Sequence, residues 1–264
     1  MKKFLTIGIT FMVMMSLVAC GSKKDDTDAL TGVEKIQAKG ELVLLTESGF
    51  PPFEYADNGE GAVDGVNGVD IEFGKALAEK LGVTLKVEDM DFDTLTVALA
   101  SDKGDIIAAG MTNTPDRAEV VDFSNTYFDN GLFILVPNDT DITSVEDLKG
   151  KKIAVQQGTT GNEYVNTVEG AEALEFKGMV EAGLAVANGN ADASVMDKLT
   201  AEILANNNKN LKVLEGALVS EETAIAVAKE DKTLLDAVNE LLAELQADGT
   251  LDKWFDEHFD SLLD

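Results

Sequence analysis

The sequence has a single cysteine, Cys20, so no disulfide can close within one molecule. Its single histidine, His258, excludes a histidine-rich metal site and lies far from any nucleophile signal, which removes a Ser-His-Asp triad. Positive charge is scarce as well: 21 Lys and Arg stand against 49 Asp and Glu, a formal net charge of −28. That excess argues against nucleic acid as a partner and against direct docking on anionic lipid, and it favours solubility. After residue 20 no apolar run approaches the length of a membrane span. There is no short internal repeat, and the only biased segment is a polar stretch near the start.

What the chain does have begins with an address. Lys2 and Lys3 precede an apolar run from Phe4 to Val18, and Leu17-Val18-Ala19-Cys20 is followed by Gly21-Ser22. This is a secretory signal segment over residues 1–20, too short and wrongly flanked for a stable membrane span. Its ending resembles a bacterial lipobox, in which the cysteine becomes the lipidated first residue; an ordinary signal peptide with a stray cysteine is the alternative. Residues 21–34, with Lys23, Lys24, Asp25, Asp26 and Asp28, read as a tether.

The remaining ~230 residues suit one large domain or two lobes. Strand and helix signals alternate, which is the pattern of an α/β architecture. Strands are expected over Leu42–Thr46, around Val83, Leu85 and Val87, and over Asp105–Ala109, Ile153–Val155, Ala193–Met196 and Ala224–Ala228. Helices are expected over Val69–Leu81, stopped by Gly82, and over Leu95–Ala100, Gly161–Val168, Val180–Asn188 and Lys198–Ala205. Ser144 and Asp147 frame a short capped helix that Gly150 ends. Leu234, Val238, Leu241, Leu242 and Leu245 make an apolar stripe, and Trp254, Phe255 and Phe259 belong to a last helix. The stretch from Asp57 to Asp64 reads as solvated turns, with a bound cation as the alternative.

Three strand ends carry unusual residues. Glu47 to Phe50 leave the first strand, Gly110-Met111-Thr112 lead toward Arg117, and Gln156 to Gly161 leave the third and open a helix. Ligands of α/β sheets gather at such exits, where free amides and helix starts collect. Arg117 is oddly placed. Thr114 reads as an N-cap and Pro115 as the first helical residue, so Arg117 puts a cation into the positive first turn. The Gly158-Thr159-Thr160-Gly161 turn is not a phosphate loop, because no lysine follows in the required place. Asp89 to Asp93 lack the glycine and distal glutamate of an EF loop.

The stretches "PPFEY", "GVDIEFGKALAEKLG", "AAGMTNTPDR", "VDFSNTYF", "SVEDLKGKKIAVQQGTT", "GNADASVMD" and "ADGTLDKWFDEHF" fall in order across most of residues 40–260. Together they resemble the family-3 solute-binding proteins of ABC importers, which capture polar amino acids. The resemblance implies a type II periplasmic-binding-protein-like fold, two α/β lobes joined by two crossing strands near Asp129–Gly131 and Ser220–Thr223. Residues 35–129 and 223–264 would form the first lobe, and residues 130–222 the second. It further implies that Arg117 holds a ligand α-carboxylate, helped by the amides of Thr112 and Thr160. The Thr112 hydroxyl, the Gly110 carbonyl and Asp197 would take the ammonium, while Glu47, Phe50, Phe92 and Gln156 would shape the rest of the pocket. The implied protein is a lipid-anchored monomer on the outer face of the cell membrane. It has no cofactor or metal, and an ABC permease with its ATPase subunits as partners. A dehydratase of arogenate-type substrates on the same scaffold is the alternative.

Blander roles compete with each assignment. Arg117 could pair with Asp116 or Glu119 at the surface, and Asp197 could be only an N-cap. Thr160 could be a plain turn residue, and Phe50 and Phe92 could be core. His258 reads as a surface residue near a helix end. The sequence also departs from the family pattern: many relatives have aspartate at Glu47 and tyrosine at Phe50, and Glu222-Thr223-Ala224 replaces a common aromatic-glycine pair. These departures put the side-chain pocket in doubt and leave the amino-acid clamp intact.

Overall fold

The computed structural model describes residues 30–263. The expected signal segment and Cys20 lie outside the described residues, as does most of the expected tether. Two sheets organise the rest. In the first, the order is Thr84–Asp89, Glu41–Thr46, Ile106–Ile107, Ala226–Ala228, Val121–Phe123. Its first three strands are parallel, and Ala226–Ala228 runs antiparallel to both of its neighbours. The late strand from near residue 226 thus completes a sheet begun at residue 41. In the second sheet the order is Glu172–Phe176, Lys152–Gln156, Ala193–Asp197, Phe128–Pro137, Leu211–Val213, again parallel strands followed by antiparallel ones.

Two strands join the lobes. Val219–Thr223 pairs antiparallel with Phe128–Leu132, in the register Ser220↔Gly131 and Thr223↔Phe128. A small third sheet, Gly49–Phe50, Glu54–Ala56 and Val66–Asn67, projects beside the first.

Helices cover the sheets as their apolar faces dictate. Val69–Leu81 buries Ile71, Phe73, Leu77 and Leu81, and Gly82, at φ 73°, accepts the left-handed turn that ends it. Lys232–Ala247 buries all five residues of its apolar stripe, and the Asp231 side chain caps its start. Phe53, fully buried, stacks on Phe50 at 4.8 Å and meets Phe128 and Phe255 edge-on at 5.3 and 5.2 Å. These aromatics tie the small sheet, the first joining strand and the last helix, Thr250–Ser261, into one core. No helix among the described residues is long and apolar enough to cross a membrane.

Several expectations need correction. Residues 32–34, assigned to the tether, begin the helix Gly32–Lys39, which a reciprocal capping box between Thr31 and Glu34 starts. The strand expected over Asp105–Ala109 is regular only at Ile106–Ile107. His258 is half-buried, and its Nδ1 shares a 2.9 Å hydrogen bond with the Tyr55 hydroxyl. Burial pulls its pKa down, so it is not the solvated residue expected there.

Candidate functional site

Four strand exits converge between the lobes. Glu41–Thr46 delivers Glu47, Ile106–Ile107 leads to Gly110 and Thr112, Lys152–Gln156 leads to Thr159 and Thr160, and Ala193–Asp197 ends on Asp197. They surround a small cavity of about 20 Å³. Of the nine ligand-binding residues expected from the sequence, Phe50, Phe92, Gly110, Thr112, Arg117, Gln156, Thr160 and Asp197 line this cavity. The ninth, Glu47, stands behind Gln156, whose Nε2 donates to Glu47 Oε2 at 2.6 Å and to the Lys177 carbonyl at 2.9 Å. Ala109, Thr159 and Met179 also line the cavity and were not foreseen.

Arg117 reaches the cavity from the short helix Pro115–Ala118, whose Thr114 cap accepts the Arg117 amide at 3.3 Å. Its guanidinium donates from Nη1 to the Thr112 carbonyl at 2.8 Å and from Nη2 to the Gly158 carbonyl at 3.1 Å, so one fork touches both lobes. The fork lies 5.2 Å from the centroid of the Phe92 ring, within cation–π range. None of the ion pairs among the described residues includes Arg117, so the surface pairing with Asp116 or Glu119 is not what holds it. Burial lowers its pKa, with Glu163, Glu221 and Asp197 opposing, yet a guanidinium stays charged. The sequence held a signal for this residue that patterning misses: Arg117 is the only arginine in the chain, every other basic residue being lysine. Lysine serves the surface here, and the one planar, two-pronged donor is kept for the cavity.

Backbone donors stand near the cation. Thr160 is the first residue of the helix Thr160–Thr167, capped by the Thr159 side chain through the Asn162 amide. Among the described residues no protein acceptor occupies the Thr160 or Thr112 amide. Gly158, at φ 77°, brings the turn so close to the other lobe that a Cβ would lie 2.8 Å from Asp93 Cβ. Free amides and a guanidinium lining one cavity are donors of the kind an anion accepts from.

Acids stand in and beside the cavity as well. Asp197 is 7% exposed and makes no capping bond to the helix Lys198–Asn207 that follows it. Instead its Oδ1 accepts from Asn130 Nδ2, on the first joining strand. Capping is therefore not its role. Burial, then the nearby Glu221, push its pKa up to about 8. Glu221 itself, on the second joining strand, is 9% exposed, and its Oε2 accepts from the Thr112 hydroxyl at 3.1 Å. Sequence reasoning missed Glu221, because the expected crossing strand Ser220–Thr223 does not by itself say which of its acids is buried; Glu221 is the one that stands opposite Asn130 in the strand register. The Glu221 charge disfavours ionisation of Asp197, and a cation placed beside Asp197 relieves that cost.

Glu47 is a second perturbed acid. Burial, with Asp89 and Glu181, raises its pKa to about 7, while Gln156 and the Gly49 amide oppose. A carboxyl near neutrality can accept from a cationic group or give up a proton. No cluster of His, Cys, Asp and Glu suited to a metal ion occurs among the described residues.

The family model for the bacterial extracellular solute-binding proteins, family 3, matches residues 42–261. The chain is 31% identical over 264 residues to the arginine-binding extracellular protein ArtP of Bacillus subtilis (strain 168), covering 97% of this chain and 98% of that one. It is similar in structure to the Gly52Ala mutant of arginine-bound ArgBP from T. maritima, with a TM-score of 0.76, 40% identity, and coverage of 81% and 99% of the two chains. A third likeness is to the ancestral amino-acid-binding protein AncCDT-1, described as a precursor of cyclohexadienyl dehydratase. Its TM-score is 0.79 with 35% identity, over 86% of this chain and 99% of that one. Other relatives, about equally similar, are named for cystine and glutamine. With the match spanning both lobes and every strand exit of the cavity, the chain belongs to the bacterial extracellular solute-binding proteins of family 3.

Proposed function

We propose that the protein captures a polar α-amino acid with a cationic side chain, arginine before others, and hands it to an ABC importer's permease and ATPase subunits. The observation that carries this reading is the polarity of one cavity. Its lining combines donors, the chain's only arginine and the free amides of Thr112 and Thr160, with a buried acid, Asp197, and Glu221 stands behind Thr112. A zwitterion fits that combination. Its carboxylate meets the Arg117 fork and the Thr112 and Thr160 amides, and its ammonium meets Asp197, the Gly110 carbonyl and the Thr112 hydroxyl. Phe50 and Phe92 flank the side chain, and Glu47 with Gln156 receives its end. Because the fork contacts Thr112 in one lobe and Gly158 in the other, a ligand held there favours the closed arrangement. The relatives named for arginine support the choice of side chain, and those named for cystine and glutamine mark its competitors.

A thermal-shift screen of the twenty amino acids tests the reading, since a ligand that binds only the folded state raises its melting temperature. The largest shift is expected for arginine, with lysine, histidine and glutamine behind it. No shift with any amino acid would overturn the proposal.

The Glu47 carboxyl, with its pKa near neutrality, also favours a second reading, a dehydratase in which Glu47 protonates a leaving hydroxyl. Incubation with arogenate or prephenate decides it: aromatic product would establish the enzyme, and its absence alongside tight arginine binding leaves the binding protein. We further propose that the protein acts as a monomer, tethered by lipid on Cys20. Labelling cells with a lipid precursor should tag wild type and not Cys20→Ser, and equal tagging of both would refute the anchor.

A further inference from the structure

A second acidic cluster lies beneath the cavity and takes no part in the contacts described so far. Glu54 and Asp70 are both at 0% exposure. Glu54 sits on the small sheet, directly opposite Phe50 in its register. Asp70 sits in the first turn of the helix Val69–Leu81. Their surroundings differ sharply. Asp70 Oδ1 accepts from the Tyr127 hydroxyl at 2.7 Å and Oδ2 from the Gly110 amide at 2.9 Å, and the helix start adds a favourable dipole. Neither Glu54 oxygen receives a hydrogen bond among the described residues.

An ionised Glu54 would be an uncompensated anion beside a second one, which a dry interior does not tolerate. The arrangement that satisfies both groups puts the proton on Glu54 and the charge on Asp70, with the acid hydrogen directed at Asp70. Burial and then the Asp70 charge push the Glu54 pKa well above the carboxylate range, whereas Asp70 rises only to about 6. The charged groups acting on Glu54 are Asp70, Glu47 and Asp89, and none of them is a cation.

What Asp70 holds belongs to the binding apparatus. Gly110 lines the cavity at φ 52°, so close to Phe50 that a Cβ would lie 2.0 Å from the ring. Fixing its amide fixes the orientation of the peptide there. Tyr127 immediately precedes the joining strand Phe128–Pro137, and its amide donates to the Thr223 carbonyl of the other joining strand at 3.0 Å.

We propose that Glu54 is a positioning residue for ligand binding: by donating a hydrogen bond to Asp70 it orients the carboxylate that fixes Gly110 on the cavity wall and Tyr127 at the entry to the joining strands. This rests on the reading of Gly110 as part of the ammonium site. Because every α-amino acid presents the same ammonium, damage here weakens all ligands by one factor and leaves selectivity alone.

The test compares wild type with Glu54→Gln, which keeps a donor for Asp70, Glu54→Met, which keeps size and loses it, and Tyr127→Phe. Affinities for arginine and glutamine are measured by calorimetry, with unliganded melting and the exchange rate of the Gly110 amide by NMR. Glu54→Gln should bind within about 3-fold of wild type, and Tyr127→Phe should lose roughly 3- to 10-fold, the scale of one hydrogen bond. Glu54→Met should lose about 10-fold or more for both ligands alike, with faster Gly110 exchange. The proposal fails if a folded Glu54→Gln loses as much as Glu54→Met. It also fails if Gly110 exchange and affinity are unchanged in Glu54→Met and Tyr127→Phe. If Glu54→Met does not fold, Tyr127→Phe and Glu54→Gln decide by the same measures. Should wild type bind no amino acid, the functional reading falls. Gly110 exchange then judges the positioning by itself: protection kept in Glu54→Gln and lost in Tyr127→Phe upholds it, and equal protection overturns it.

Discussion

At the scale of single residues, Arg117 makes the sharpest claim. Its fork donates only to two backbone carbonyls and makes no side-chain ion pair, although its charge helps to hold down the pKa of the buried Asp197. With a ligand carboxylate present, Arg117→Ala should cost about 2–5 kcal/mol of binding, roughly 30-fold or more in affinity. Arg117→Lys should recover only part, because an ammonium cannot reproduce the two-pronged geometry. Unliganded melting should change little, since Arg117 makes no ion pair and its helix is a single turn, in which it stands near both ends. Calorimetry and melting of the three proteins check both halves; lost affinity with a collapsed melting temperature would make Arg117 a structural residue instead. This residue was legible in the sequence because its charge has the wrong sign for its place in a helix. Asp197 was legible only as an ambiguity, which Asn130 resolves. Glu221 was not legible, because strand pairing and not local sequence decides which way an acidic run faces. Glu47 adds a pH signature. With a pKa about 7, it is largely protonated at pH 6 and ionised at pH 8. Only the ionised form attracts a cationic side chain, so preference for arginine over glutamine should grow as pH rises through 7. Glu47→Gln should flatten that trend. A preference equally pH-dependent in Glu47→Gln would remove Glu47 from the side-chain site.

At the scale of elements, legibility followed the punctuation. Helices with both an apolar face and a stop residue, such as Val69–Leu81 before Gly82, stand where the pattern put them. Short or polar edge elements escaped, because too few residues carry the period. Glu172–Phe176 has acids on a sheet edge, Leu211–Val213 is three residues long, and Val121–Phe123 is equally short. Gly32–Lys39 escaped because a charged tract runs into it, although Thr31 and Glu34 spell a capping box. That helix buries Ile36 and packs on Glu41–Thr46 and Lys232–Ala247, away from the cavity. Thr31→Ala should therefore cost about 1 kcal/mol of stability. In a chain of this size that lowers the melting temperature by roughly 2–4 °C, with affinity for the ligand unchanged. An unchanged melting temperature would mean that the helix start contributes nothing to the fold.

At the scale of the whole molecule, the cavity's acids make stability depend on pH in an unusual direction. Burial raises the folded-state pKa of Asp197 to about 8, of Glu47 to about 7 and of Asp70 to about 6, from ordinary values of 3.8 to 4.5. Between those limits the folded protein holds protons that the unfolded chain has released. Stability therefore falls as pH rises, and it is fully present only below about pH 4 as far as these groups are concerned. The net charge of −28 acts the same way, through repulsion that grows as carboxyls ionise. Salt separates the two causes, because it screens exposed charges and reaches buried ones poorly. In about 0.5 M salt the unliganded protein should still melt several degrees lower at pH 8 than at pH 5, a loss on the order of a few kcal/mol. Asp197→Asn should remove much of that slope, since an amide has no proton to lose. Saturating arginine should narrow the gap in wild type, because its ammonium and guanidinium stabilise the ionised acids, so that binding strengthens as unliganded stability declines. Melting curves at both pH values, with and without arginine, measure all of this in one series. Equal slopes for wild type and Asp197→Asn in high salt would show that the cavity acids do not set the pH dependence.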